Sequence, residues 1–455
     1  MTDEKMNMLI KGNLVLPEHV ALNHLIGVRD GKIVGIYSEQ DAPPAETVVD
    51  ASGQLVFPGV VDAHVHSYSN LHEQFENSTA AASAGGVTTI VEMPYDQGAP
   101  VSTTDVFNAK IDMIRQHARV DVALLATLSK QGSPEVIRPL AELGACGFKL
   151  SAFETDPERF PRIDDDVLLE VLPIIAETGL TVGFHAENDV IIESLIARYR
   201  KEGKTYPKAH CETRPPVSET TSVVKLLELA FWTEASLHIF HVSHPRCLEL
   251  IEWYRGQGVD VTAETCPHYL SLIEDDMDVH GAFSKINPPI RTQEDQDGLW
   301  RALGDGKIDW VASDHAPWPV ERKQNPIIFD NGSGAPGLEA ILPIMYQEAV
   351  VKRAFSPVTL ARLLSGRPAE RFKLAPRKGS IEIGKDADFA ILDPNCTWNF
   401  DAANSFSSAK WSPYNGRSIQ GKVTTTILRG TVIFSGGGLQ PDAGIGEFLP
   451  ALEQG

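Results

Sequence analysis

The sequence is short of basic residues, of paired cysteines and of long apolar runs. Lysine and arginine number 40 against 61 acidic residues, a formal net charge of −21. That surplus works against nucleic acid or an anionic membrane as a partner, because phosphate binding needs clustered basic groups. The five cysteines (Cys146, Cys211, Cys247, Cys266 and Cys396) are scattered, with no C-x-x-C pair. They read as reduced thiols rather than a disulfide framework. No apolar run approaches the length needed to span a bilayer. Met1-Thr2-Asp3-Glu4-Lys5 is not a basic segment leading into an apolar one, so no secretory signal is expected and the cytoplasm is the expected location.

What is present suits a folded globular chain. Its 455 residues suffice for one large domain and a smaller one. Through the middle, short runs of Val, Ile, Leu, Phe and Thr alternate with stretches of helical spacing such as 218–232 and 246–256. Strands are expected at 60–66, 88–93, 121–128, 147–151, 180–186, 237–242, 260–264 and 309–313. Eight such β–α repeats predict an α/β fold, a (β/α)₈ TIM barrel. The two ends differ, with short alternating strands and turns at Arg29-Asp30-Gly31-Lys32, Gly384-Lys385-Asp386 and Arg429-Gly430. Together they predict a small β-sandwich of residues 1–57 plus 378–455 outside a barrel of residues 58–377. From Gly436 the chain is expected to trail over the surface.

The strongest chemical signal is Asp62-Ala63-His64-Val65-His66 at the end of the first barrel strand. Strand side chains alternate faces, so His64 and His66 point into the barrel together, a pairing that suits a divalent metal. Lys149, His185, His241 and Asp314 end later strands, on the rim where barrel enzymes place their sites. Singly, each has an ordinary alternative: a hydrogen-bonded core histidine, a helix cap, a snorkelling lysine. Their coincidence on one rim favours a metal centre. A free ammonium beside two cations would be repelled, so Lys149 fits there only if neutral or modified. A neutral lysine can add CO₂ to give a carbamate able to bridge two metals. Two metals in such a site would turn a bridging water into hydroxide near neutral pH. Asp314 is placed to take its proton and pass it to a leaving nitrogen.

These motifs make the sequence resemble the cyclic amidohydrolases: hydantoinases, dihydropyrimidinases, allantoinases and dihydroorotases. The resemblance runs through Phe57-Pro58-Gly59, Ala84-Gly85-Gly86-Val87-Thr88-Thr89, Gly147-Phe148-Lys149 and His185-Ala186-Glu187-Asn188. It continues through His241-Val242-Ser243, Glu264-Thr265-Cys266-Pro267-His268, Asn287-Pro288-Pro289 and Ser313-Asp314-His315-Ala316-Pro317. It implies that His64, His66 and Asp314 bind one metal, His185 and His241 the other, and carboxylated Lys149 bridges them. Zinc is the metal such proteins usually carry, and a homodimer or homotetramer their usual assembly.

The departures bear on substrate. Dihydroorotases hold a carboxylate with an arginine and an asparagine where this chain has Tyr68 and Tyr95. The run Ser67-Tyr68-Ser69-Asn70-Leu71 departs from the allantoinase pattern. The tyrosine of dihydropyrimidinases and many D-hydantoinases is replaced by Glu154. The closest pattern is that of hydantoinases lacking this tyrosine, with a small cyclic amide as substrate. An allantoinase or other ureide or cyclic imide hydrolase is the main alternative, and a non-catalytic scaffold a more distant one. Tyr68, Tyr95, Phe153, Asn287 and Gly337 are the expected substrate contacts. His268 and His315 could orient ligands, and the 317–334 loop could close over the site.

Overall fold

The computed structural model describes residues 5–440 and 444–451. Eight parallel strands follow one another around a barrel: β5 (Val60–Val65), β6 (Val87–Glu92), β7 (Asp121–Ala126), β8 (Gly147–Ser151), β9 (Thr181–His185), β10 (Leu237–Ile239), β11 (Val261–Thr265) and β12 (Trp310–Val311). Every residue of β5 to β9 is buried, the mark of strands covered on both faces. The ring closes just past β12, where His66 N donates to His315 O at 2.9 Å and His315 N to His64 O at 3.2 Å. The helices expected at 218–232 and 246–256 are present as Pro216–Thr233 and Pro245–Arg255.

The chain ends build a second sheet. Its strands are β1 (Met6–Val15), β2 (Val20–Arg29), β3 (Lys32–Tyr37), β4 (Ala45–Pro58), β13 (Phe389–Asn399), β14 (Ser418–Leu428), β15 (Thr431–Ser435) and β16 (Gly438–Leu439). They form one hydrogen-bonded sheet in the order β16-β15-β14-β13-β4-β1-β2-β3, antiparallel except for the parallel β1–β4 pair. The sheet folds back on itself, so Ile10, Ile26 and Val28 from one end share a core with Phe389, Ile391 and Ile427 from the other. Two hairpin tips meet at the seam. Asp30-Gly31 and Arg429-Gly430 both take positive φ in two-residue turns. A Cβ on Gly31 would lie 3.2 Å from Arg429 O, so the close approach suits glycine.

Of the segment expected to trail over the surface, residues 444–451 are instead held against the barrel, and 441–443 and 452–455 lie outside the described residues. Val122 N donates to Glu447 O and Leu449 N to Val122 O, at 2.9 and 2.8 Å, and Ala451 N reaches Gly144 O. Leu449 is buried in the cluster that fills the barrel interior with Val61, Ala63, Val91 and Phe372. The isolated apolar residues Ile445, Phe448 and Leu449 supply a face that their Gly/Pro-rich surroundings disguise in sequence. Among the described residues no helix is long and apolar enough to cross a membrane.

Candidate metal centre

The C-terminal ends of the strands bring the six expected ligands together. His64 projects from β5, with His66 just beyond that strand; Lys149 lies within β8 and His185 ends β9. His241 follows β10 and Asp314 follows β12, both with left-handed backbones at φ 41° and 47°. Left-handed residues other than glycine cost free energy and cluster where surrounding structure enforces a functional geometry. Asp62 helps to enforce it, its Oδ1 accepting from His64 N at 3.2 Å and Ser313 N at 3.0 Å.

The donor atoms converge in two groups. His64 Nε2 lies 2.7 Å from Lys149 Nζ and 3.1 Å from Asp314 Oδ1, and His66 Nε2 lies 3.6 Å from the same oxygen. Ligand atoms of His64, His66 and Asp314 all fall within 4.8 Å of one another. His185 Nδ1 and His241 Nε2 face each other at 3.0 Å. Burial holds His64 and His241 well below the ordinary histidine range and brings His66 down to about 4. Neutral imidazoles with free lone pairs are what metal ligation needs. Burial likewise lowers the Lys149 ammonium to about 8, against the opposing charges of Asp314 and Glu264. His241 Nδ1 is buried with no hydrogen-bond partner. Four imidazoles, a carboxylate and a low-pKa lysine fit a two-cation site.

Two buried glutamates orient these rings. Glu264 Oε1 lies 2.6 Å from His64 Nδ1, and its other oxygen accepts from Trp310 Nε1 at 2.7 Å. Glu187 Oε2 lies 2.9 Å from His185 Nε2, and Arg214 stands 3.3 Å from its other oxygen. An ionised glutamate accepts the proton of one ring nitrogen and leaves the other as a lone pair, facing the site. Burial pushes Glu264 upward, whereas Arg214 and His185 outweigh burial and hold Glu187 below the ordinary range. Both glutamates stand in motifs already noted, Glu264-Thr265-Cys266 and His185-Ala186-Glu187, yet neither was assigned a role from sequence. His315 and His268 do not hydrogen-bond a ligand side chain among the described residues. His315 Nε2 instead meets Glu73 at 3.1 Å, and His268 Nε2 has no partner.

A second acidic cluster, Asp121, Asp386 and Asp388, is already neutralised. Lys378 Nζ reaches all three, at 2.6, 2.9 and 2.6 Å. Arg429, Lys32 and Arg377 add further positive charge at Asp121 and Asp386. This network ties the terminal sheet to the barrel.

A cavity of about 450 Å³ opens over the metal centre. Of the expected contacts, Tyr95 and Asn287 line it; Tyr68, Phe153 and Gly337 do not. Tyr95 stacks on Phe160, ring centroids 3.5 Å apart, and donates to Lys149 O at 3.0 Å. Asn287 Oδ1 is buried without a partner. Because β5 ends at Val65, the chain turns before Tyr68, whose ring packs edge-on against Phe75 below Lys110. Phe153 packs edge-on against His185 with its centroid 5.9 Å away, and Gly337 N is taken up by His315 Nδ1 at 3.1 Å. Glu154 also turns away, paired with Lys130 at 2.5 Å. The 317–334 loop does wall the cavity, through Trp318, Arg322 and residues 331–334. Phe160, Arg159, Trp318 and Arg322 also line the cavity without being marked by any motif in the sequence. Phe160 and Arg159 have no local signal, and within the expected 317–334 segment nothing singles out Trp318 or Arg322, which lies on a short 3-10 helix (Val320–Lys323).

The model of the amidohydrolase family matches residues 55–433. The chain belongs to the amidohydrolase family. It is 35% identical to the L-hydantoinase of Paenarthrobacter aurescens over 93% of each chain. It is 37% identical to an allantoinase of Rubrobacter xylanophilus, over 90% of this chain and 91% of that one. The solved L-hydantoinase (dihydropyrimidinase) from Arthrobacter aurescens superposes with a TM-score of 0.94 at 34% identity, covering 98% of this chain and all of that one.

Proposed function

We propose that this amidohydrolase opens the ring of a cyclic amide of hydantoin type at a two-metal centre. The observation that carries the reading is the convergence of His64, His66, Lys149, His185, His241 and Asp314 on one rim beneath the cavity. His64, His66 and Asp314 would hold one divalent ion and His185 and His241 the other, with carboxylated Lys149 between them and zinc the metal. When bound, the ions supply Lewis-acid polarisation of the scissile carbonyl and acidify the attacking water.

This chain's residues do the rest. Asp314 takes a proton from the attacking water and returns it to the leaving nitrogen. Tyr95 and Phe160 give the ring an aromatic wall. The unpartnered Asn287 Oδ1 offers an acceptor to a ring N–H. The L-hydantoinase likeness favours hydantoins, and the allantoinase likeness makes allantoin the second candidate.

The deciding experiment is a panel of 5-substituted hydantoins, dihydrouracil, allantoin and dihydroorotate, with ring opening followed on the metal-loaded protein. Hydantoins are expected to turn over fastest. Allantoin in the lead would move the assignment to allantoinase, and rapid opening of dihydroorotate would sink it.

The assembly proposed is a homodimer or homotetramer, with Trp232 and Trp253, 72% and 59% exposed, as apolar surface available to a second copy. A monomer by light scattering would overturn that assembly. Cytoplasmic residence accords with five free cysteines.

A further inference from the structure

The mouth of the cavity carries two arginines that no carboxylate neutralises. Half-buried and buried arginines elsewhere in this acidic chain include Arg162, paired with Asp189, Arg255, paired with Asp309, and Arg291, paired with Glu219. Among the described residues half-buried Arg159 and exposed Arg322 make no ion pair, and both line the cavity. Arg159 is half-buried, and its Nη1 donates only to the main-chain carbonyls of Ser69 and Tyr95, at 3.4 and 3.2 Å. Arg322 lies 4.2 Å from the centroid of the Trp318 ring, and Arg159 lies 6.0 Å from the same ring. Trp318 is fixed in turn: its Nε1 donates to Ser333 O, and its carbonyl accepts from Trp411 Nε1, both at 2.7 Å.

The opposing charge on this side of the cavity is Asp156. Its Oδ1 already accepts from the amides of Glu158 and Arg159, at 3.1 and 2.9 Å. Asp96, the other carboxylate felt by Arg159, is taken up by Lys110 at 2.6 Å. Burial chiefly, and the charge of Arg322 as well, lower the Arg159 guanidinium, with Asp156 and Asp96 opposing. Two guanidiniums against one carboxylate leave the mouth positive in a chain of net charge −21. Guanidinium groups match a carboxylate with parallel N–H donors, and a fixed indole plane holds such a group in place.

We propose that Arg159 and Arg322 form an anion subsite, and that the preferred substrate is a cyclic amide whose ring substituent ends in a carboxylate. This inference rests on the cyclic-amide reading above. The ring would lie by Tyr95, Phe160 and Asn287, with its substituent reaching out to the arginines beside Trp318. A neutral substituent would leave both cations unpaired.

The test compares three hydantoins carrying carboxyethyl, carbamoylethyl or propyl groups at C5, on wild type, Arg159→Met and Arg322→Met. In wild type, kcat/KM for the carboxylate should exceed that for its carboxamide isostere by at least about tenfold, what one charge-assisted hydrogen bond supplies. The ratio should fall toward one in each variant, and it should fall with added salt in wild type. A purely structural role for the arginines would lower turnover of all three substrates alike and keep the ratio, which would overturn the subsite. Equal wild-type rates on carboxylate and carboxamide would overturn it as well, with the cyclic-amide reading intact. Failure to open any of the three would overturn both.

Discussion

Lys149 Nζ lies 2.7 Å from His64 Nε2, inside the barrel mouth and buried from solvent. Burial brings its ammonium down to about 8, against the charges of Asp314 and Glu264. The same burial that makes the free ammonium costly makes the neutral amine available to CO₂.

Reconstitution of the metal-free protein should therefore depend on pH. The lysine is charged below about 8 and neutral above it, so only the upper form reacts. At a fixed concentration of dissolved CO₂ and metal, the reactivation rate should rise about tenfold per pH unit below that value and level off above it. A rate that falls through this window would contradict the assigned role.

Asp314 is held at φ 47° beside His64 and His66, where it can exchange a proton with the reacting groups. Asp314→Asn keeps the shape and removes the base. A loss in kcat of roughly 10²–10⁴-fold is expected in steady-state assays of metal-loaded protein. Retention of more than a tenth of the activity would assign the proton transfer to another group.

Glu264 acts through His64. Glu264→Gln keeps a hydrogen-bonding side chain at 264 while removing the carboxylate 2.6 Å from His64 Nδ1. Metal affinity should weaken by roughly 10–100-fold in a chelator competition, with activity restored by excess metal. Unchanged affinity would show that the ring is fixed by packing alone.

Lys378 sits among Asp121, Asp386 and Asp388 at the junction of sheet and barrel. Lys378→Met leaves buried carboxylates short of a counter-ion. Urea unfolding should report a loss of about 3–5 kcal/mol, while the metal centre keeps its ligands. A change below about 1 kcal/mol would mean that Arg429, Lys32 and Arg377 suffice.

The barrel and the six residues on its rim were legible because strand periodicity and strand-end position are local signals. His64 and His66 share a face by alternation alone, and Lys149, His185, His241 and Asp314 each close an apolar run. The cavity walls were less legible. Tyr68 looked like a neighbour of His66, but the chain turns after Val65 and sends its ring to Phe75. Arg159 and Arg322 lie far apart in sequence, and nothing local announces that Trp318 gathers them. The final segment misled for the opposite reason. Its glycines and proline suggest a free tail, whereas Leu449 is buried in the barrel cluster and the main chain of residues 444–451 hydrogen-bonds to Ala118, Val122 and Gly144.

The two-metal assignment is tested most directly by metal analysis of gently purified wild-type protein beside Lys149→Ala. Wild type should carry about two divalent ions per chain, and the variant fewer, with kcat reduced by about a thousandfold. Fewer than about one ion in wild type, or full occupancy and activity in the variant, would contradict the assignment.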